Sequence, residues 1–284
     1  MSLVGSADYI RRMAPTPPAP ASPAHAPAAT AVFATSRAPL SVVIITRDAR
    51  AVLAPCIASA AFADEVVVLD SGSEDGTTQL ARSLGARVVE GDWPGFGLQK
   101  QKAVNLARHD WVLCLDADER VSTELRRAIE AALAAPGATG VWRMARANRF
   151  MGRTLRHGEG YPDWSVRLFH RAHARWSDDP VHEKVLTGEA VGTLDGDLLH
   201  DSADSLEAYL AKQNRYTTLQ ARQLFERGER AGVARVALSP LVRFVKFYFL
   251  RRGFLDGLPG FVHIAIGCFN SMMKFAKLHA IKRP

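Results

Sequence analysis

The spacing of apolar positions changes partway along this chain. Residues 41–47, 65–70 and 87–90 are short runs dominated by Val and Ile, as expected of strands covered on both faces. Between them, residues 51–61 and 77–84 read as helices, with Pro55 in the first turn of one and Gly85 ending the other. A loop of breakers, Gly91-Asp-Trp-Pro-Gly-Phe-Gly97, precedes a helix over residues 98–108. Trp111-Val-Leu-Cys-Leu-Asp-Ala-Asp118 follows as a strand. Leu125, Ile129 and Leu133 mark the next helix, with Ser122 as N-cap and Pro136-Gly137 as its stop. This βαβαβαβα alternation predicts an α/β fold, a Rossmann-like, mostly parallel sheet with helices on both faces.

Beyond residue 139 the alternation breaks. Residues 140–151 read as a long strand, 152–164 as a glycine-rich aromatic loop, and 165–170 as another strand. Short strands are expected at Trp176, 181–186 and 194–199. This smaller part is mixed or antiparallel and is expected to build the second wall of a cleft. A helix over residues 205–227 closes it, and no internal repeat is visible.

Composition refines the boundaries. Residues 1–39 hold seven of the fifteen prolines and many alanines, so they cannot bury a core and read as a disordered leader. They lack the continuous apolar stretch of a signal peptide, although Arg11 and Arg12 leave a transit-like leader as an alternative. Three cysteines without metal spacing point to a reducing compartment. The net charge of +7 is local: residues 240–284 carry eight Lys/Arg against Asp256 alone, so residues 1–239 are formally neutral. A basic patch of this kind is not a nucleic-acid-binding domain, and no nucleic-acid module is recognisable.

Candidate chemistry gathers at strand ends. If the strand persists to residue 118, Asp116 and Asp118 share one face and point from its C-terminal end, where open α/β sheets bind ligands. Two adjacent carboxylates call for a cation, and a divalent ion bridging a diphosphate suits them. The competing reading makes Asp118 a cap for the helix beginning near Ser122. Asp70 ends the second strand in Asp70-Ser-Gly-Ser-Glu-Asp-Gly-Thr77; its carboxylate can accept from the imide N–H of uracil or close an Asx turn. Asp75 reads as a turn or capping residue.

Taken together, Ser-Val-Val-Ile-Ile-Thr (41–46), Val-Val-Val-Leu-Asp-Ser-Gly-Ser-Glu-Asp-Gly-Thr (66–77) and Leu-Asp-Ala-Asp (115–118) resemble the family 2 glycosyltransferases with a GT-A nucleotide-sugar domain, over residues 40–230. Gly-Phe-Gly-Leu-Gln-Lys-Gln-Lys (95–102), Tyr-Pro-Asp-Trp-Ser-Val-Arg-Leu-Phe (161–169) and Val-His-Glu-Lys-Val (181–185) look like the lipopolysaccharide-core β-1,4-glucosyltransferase branch. The resemblance implies a UDP-sugar donor, with Asp70 reading the base and Thr46 bordering the nucleotide. It implies Mg²⁺ or Mn²⁺ held by Asp118 and Asp116, with His200 as a C-terminal ligand, and phosphate contacts from Lys100 or Lys102 and from Arg167. Glu183 matches the catalytic base, His182 would orient the acceptor, and Asp163 is the alternative base. Gly158 and Gly160 would let the backbone approach the donor sugar. The product that the resemblance implies is an inner-core lipopolysaccharide extended by one hexose, glucose from UDP-glucose, with inversion. The Gln-x-x-Arg-Trp signature of processive relatives is missing, which argues for a single addition. A nucleotidyltransferase and a non-catalytic membrane-bound scaffold are the competing classes; the first lacks its glycine-rich loop at Arg47-Asp-Ala-Arg, and the intact acidic motifs speak against the second.

Residues 231–284 interleave cations with aromatics, as in Leu241-Val-Arg-Phe-Val-Lys-Phe-Tyr-Phe-Leu-Arg-Arg252. Two readings stand: a helical segment lying on an anionic membrane surface, or a helical pair packed on the catalytic domain. The apolar stretch 258–269 is too short to span a bilayer. With this tail, the resemblance implies a cytoplasmic enzyme, peripheral on the inner face of the bacterial inner membrane, with a lipid-linked saccharide acceptor.

Overall fold

The computed structural model describes residues 37–135, 139–179, 183–201 and 205–281. Apart from residues 37–39, the expected leader lies outside the described residues, as do Pro136, Gly137 and His182.

The first half follows the predicted alternation: β1 (Leu40–Thr46), α1 (Arg50–Ser59), β2 (Glu65–Asp70), α2 (Thr77–Ser83), β3 (Arg87–Glu90), α3 (Phe96–Leu106) and β4 (Trp111–Asp116). The strands lie in the order β3-β2-β1-β4, all parallel. Successive β1 residues enter opposite cores, the reason its run is unbroken rather than alternating. Val42 and Ile44 pack with Leu53 of α1 and Ala81 of α2, whereas Val43 and Ile45 pack with Ala103 and Val104 of α3. Pro55 sits in the second turn of α1, not the first; the residue is exposed there, so its missing N–H faces solvent.

β4 stops at Asp116. A turn at Ala117-Asp118 leads into β5 (Glu119–Val121), and Ser122 caps α4 (Thr123–Ala134) by accepting from the Leu125 N–H at 3.1 Å. The later strands are β6 (Val141–Phe150), β7 (Arg153–Thr154), β8 (Asp163–His170) and β11 (Gly192–Asp201). They extend the same sheet as β4-β8-β6-β11-β5, with β7 on β6, and carry Arg146, Asn148 and His200 on the second side of a cleft, as expected. Only β9 (Ala174–Trp176) and β10 (Val185–Thr187) make a second small sheet among the described residues. Pairing of β8 begins two residues before the expected strand, so Asp163 lies opposite Arg146.

The C-terminal extension packs on the domain. After α5 (Leu206–Glu226) of the domain, it comprises α6 (Val233–Phe244), a π-helical turn over Val245–Leu250, a 3-10 turn over Gly253–Asp256 and α7 (Gly257–Ala280). Asp256, the lone acid of the basic tail, is buried and its Oδ2 accepts the backbone N–H groups of Arg156 and His157 at 2.9 and 2.8 Å. Gly158, at φ +68°, donates its N–H to the Arg251 carbonyl, and a Cβ there would stand 3.0 Å from Ile264. The close approach expected at a donor sugar is therefore spent on docking the extension. Gly160 packs against Leu155 instead. No described helix is long and apolar enough to cross a membrane.

Candidate active site

A cleft of about 900 Å³ opens at the C-terminal ends of β1 and β4, where Thr46, Lys100, Asp116, Asp118, Glu183 and His200 meet. Asp116 and Asp118 both face it, for a reason other than strand periodicity: Asp116 ends β4, whereas Asp118 is carried by the turn. Antiparallel pairing of β5 with β11 sets His200 opposite Glu119, next to Asp118. His200 Nε2 thereby lies 3.2 Å from Asp118 Oδ2.

The orientation of His200 is set from behind. Asn148, its partner across β6 and β11, donates its amide N–H to the Gly160 carbonyl at 3.3 Å and turns Oδ1 to His200 Nδ1 at 2.7 Å. Nδ1–H is then the donor, and Nε2 is the nitrogen turned to the Asp118 carboxylate, where the two groups can share a proton or a cation. Among the described residues no three His, Cys, Asp or Glu side chains form a closed ligand set. Asp118 and His200 stand as a pair of candidate ligands, with Asp116 beside them already ion-paired to Lys100 and Arg167.

Behind the cleft runs a chain of alternating charge. Lys100 Nζ stands 2.7 Å from Glu183 Oε1 and 3.0 Å from Asp116 Oδ1. Arg167 Nη2 lies 2.7 Å from Asp116 Oδ2 and 2.6 Å from Glu119 Oε1. Arg146 follows, 3.5 Å from Glu119 and 2.7 Å from Asp163. Trp176 backs the centre, its ring under Lys100 at 4.8 Å and Arg167 at 5.8 Å, while its indole N–H donates to the Cys114 sulfur. Burial works to raise the Asp116 carboxyl, but the Arg167 and Lys100 charges outweigh it and hold the group well below the usual carboxylate range. Burial pushes Glu119 up, opposed by Arg167.

The expected residues fall into two sets. Lys100, Asp116, Asp118, Glu183, His200 and Thr46 line the cleft. Arg167 is only 4% exposed and lies behind Asp116, where it acts on that carboxylate instead of facing a phosphate. Asp163 is tied to Arg146 and lines a smaller neighbouring cavity. The Asp70 carboxylate is turned into its own loop: Oδ1 accepts from the N–H groups of Gly72 and Ser73, and Oδ2 from the hydroxyls of Thr46 and Ser73. This is the Asx-turn geometry. Asp75 accepts from the Thr77 and Arg50 N–H groups, a capping role. Lys102 is exposed beside Gly91, leaving Lys100 as the lysine of the site. Glu119, Arg146, Asn148 and Trp176 carried no sequence signal. Each acts through a neighbour at least three residues and mostly tens of residues away.

Sheet order and the crevice at the strand ends are those of a GT-A-type α/β domain. The model of glycosyl transferase family 2 matches residues 41–188, and the chain belongs to that family of glycosyltransferases. It is 32% identical over 254 residues to the lipopolysaccharide core biosynthesis glycosyltransferase LpsC of Rhizobium meliloti (strain 1021), covering 86% of this chain and 94% of that one. An uncharacterized glycosyltransferase of Rickettsia bellii (strain RML369-C) is also 32% identical, over 85% and 86% of the two chains. Among solved structures, S. aureus TarS 1-349 in complex with UDP aligns with a TM-score of 0.44 at 14% identity, over 86% of this chain and 93% of that one.

Proposed function

We propose that this enzyme transfers a single hexose, glucose from UDP-glucose, to a lipid-linked saccharide of the lipopolysaccharide inner core, with inversion and with a divalent cation. The observation that carries this reading is the convergence of Asp116, Asp118, His200, Lys100 and Glu183 on one cleft at the sheet's C-terminal edge. The narrower substrate class rests on the similarity to LpsC along nearly its whole length.

Asp118 and His200, with Asp116, would hold Mg²⁺ or Mn²⁺. When bound, the ion supplies positive charge against the departing diphosphate. Glu183 accepts the proton of the acceptor hydroxyl, whose oxygen bonds to the anomeric carbon as the bond from that carbon to UDP breaks. A single displacement from the opposite face inverts the anomeric centre. Lys100 orients Glu183 and Asp116 together, and its ammonium faces the cleft where the diphosphate would lie. Arg167 acts as a positioning residue for Asp116. Thr46, hydrogen-bonded to Asp70, forms the nucleotide-side edge, with Asp70 shaping the loop that borders the base.

The catalytic domain spans residues 40–230 in this reading, and residues 231–284 rest on the anionic inner face of the cytoplasmic membrane. Val233, Leu241, Val242 and Leu250 are each more than 60% exposed. Lys246, Arg251 and Arg252 are interleaved with them in the chain. This apolar and basic surface is the one that meets lipid.

The test is UDP release from a panel of UDP-sugars with purified lipopolysaccharide core acceptors, alongside UDP titration with and without Mn²⁺. Metal-linked UDP binding and core-dependent release from UDP-glucose are expected. UDP binding indifferent to metal, or release independent of core acceptor, overturns the reading.

A further inference from the structure

Beside the cleft lies a second cavity of about 330 Å³, and the two share Asn148, Tyr209, Gln213 and His263 as walls. Pockets that hold small ligands run from about 300 to 1,000 Å³. Tyr209, Gln213, Tyr216 and Gln220 recur at helical spacing on α5, and His263, Gly267, Asn270 and Lys274 do so on α7. A polar stripe of this spacing ordinarily faces water. Here two such stripes from neighbouring helices line one void, and Asn270 donates to Gln213 at 3.0 Å between them.

The lining has the chemistry of a sugar site. Trp164, from β8, is 47% exposed, with the Arg143 guanidinium 4.8 Å over its ring. Amide side chains match hydroxyl groups, and aromatic rings match the apolar face of a pyranose. Among the described residues His263 Nδ1 is buried without a hydrogen-bond partner. Burial, and then the Arg243 charge, push the pKa of that imidazole down, so it is neutral and one ring nitrogen can accept from a hydroxyl. The charges are unevenly matched. Arg243 pairs with Glu159, and Arg146 with Asp163. Lys274 forms no ion pair among the described residues; its ammonium lies 4.7 Å over the Phe275 ring.

We propose that this cavity is the acceptor subsite and takes a sugar residue bearing an anionic group, a phosphate or a carboxylate, held at Lys274, while the hydroxyl to be glycosylated reaches Glu183 in the adjoining cleft. The assignment rests on the saccharide-acceptor reading above. It gives the C-terminal extension a part in choosing the acceptor, because α7 supplies the cation.

Binding of delipidated lipopolysaccharide core oligosaccharide to the full chain, measured by calorimetry in the presence of UDP, tests it. Trp164→Ala and Lys274→Ala are each expected to weaken oligosaccharide binding at least tenfold, with UDP affinity reporting an intact fold. Phosphatase treatment or carboxyl reduction of the oligosaccharide should reproduce the Lys274→Ala loss, and the treatment that does so identifies the anion. That treatment should have no further effect in Lys274→Ala. Wild-type oligosaccharide affinity in both variants overturns the subsite and leaves the acceptor class standing. Affinity unaffected by either treatment overturns the anion at Lys274. No binding to the wild-type chain, with UDP still bound, overturns the acceptor class and the subsite together.

Discussion

Arg167 Nη2 stands 2.7 Å from Asp116 Oδ2 and 2.6 Å from Glu119 Oε1, so one buried guanidinium joins the end of β4 to the start of β5. The turn between those strands carries Asp118. Its position therefore depends on a residue fifty positions away in the chain. Removing Arg167 leaves Glu119 and Asp116 buried side by side without the cation they share, which costs about 3–5 kcal/mol in comparable buried pairs. Arg167→Met should lower the unfolding free energy read from urea titration by that amount, and Arg167→Lys should restore part of it. A midpoint unchanged in Arg167→Met contradicts this role.

Cation binding at Asp118 and His200 can be separated from turnover. Asp118→Asn and His200→Ala should each weaken Mn²⁺ binding, read by electron paramagnetic resonance in the presence of UDP. Asn148→Ala, which releases the His200 ring, should weaken it about 10–100-fold. Mn²⁺ bound as tightly by Asp118→Asn as by the wild type would remove the ion from this position.

Asp256 holds the extension to the loop between β7 and β8 through two backbone N–H groups. Asp256→Ala leaves both without their acceptor, at a cost of about 1–3 kcal/mol for a buried group. Hydrogen exchange at Arg156 and His157 should accelerate while exchange in β1 does not. Asp256→Asn, which retains an acceptor oxygen, should lie between. Equal exchange in Asp256→Ala and wild type excludes the clamp.

Glu65 gives the opposite end of the sheet a dependence on acid. Burial raises its carboxyl, but the Arg108 N–H, the Ser41 hydroxyl and Arg87 together bring it below the ordinary value. An acid depressed in the folded state stabilises fully above its unfolded pKa, and that contribution disappears as pH falls through the folded one. Denaturation midpoints of the wild type should decline below about pH 4.3, the ordinary Glu value, more steeply than those of Glu65→Gln. Identical pH profiles would show that Glu65 contributes nothing.

The exposed apolar face of the extension makes a separate prediction. Leu241→Glu combined with Leu250→Glu should abolish sedimentation with vesicles containing anionic phosphatidylglycerol and leave UDP binding intact. Wild-type binding should fall as salt rises, since the Lys/Arg attraction is screened. Equal binding of wild type and variant to those vesicles would place the membrane contact elsewhere.

The strand and helix periods were legible because each is a local property. The run at residues 41–46 declares a doubly covered strand, and β1 is buried on both faces. Strand ends were harder. The Asp116/Asp118 spacing read as one strand face, yet β4 ends at Asp116, because Glu119 must turn inward to meet Arg167 and pair its backbone with β11. Glycines misled in a related way. Gly158 signals a close approach, but nothing local distinguishes a sugar from Gly253 and Ile264 as the neighbour.

The sequence by itself determined the α/β alternation, the acids at the strand ends, the family and the uneven placement of charge, all of which are encoded in short-range spacing. Only the tertiary structure decided that Arg167 and Glu119 stand behind the cleft, that His200 meets Asp118, and that a polar stripe on α5 meets another on α7. Those relations join segments some fifty to eighty residues apart. Sheet order and the pairing of buried charges settle them, and neither is written in the period of any one segment.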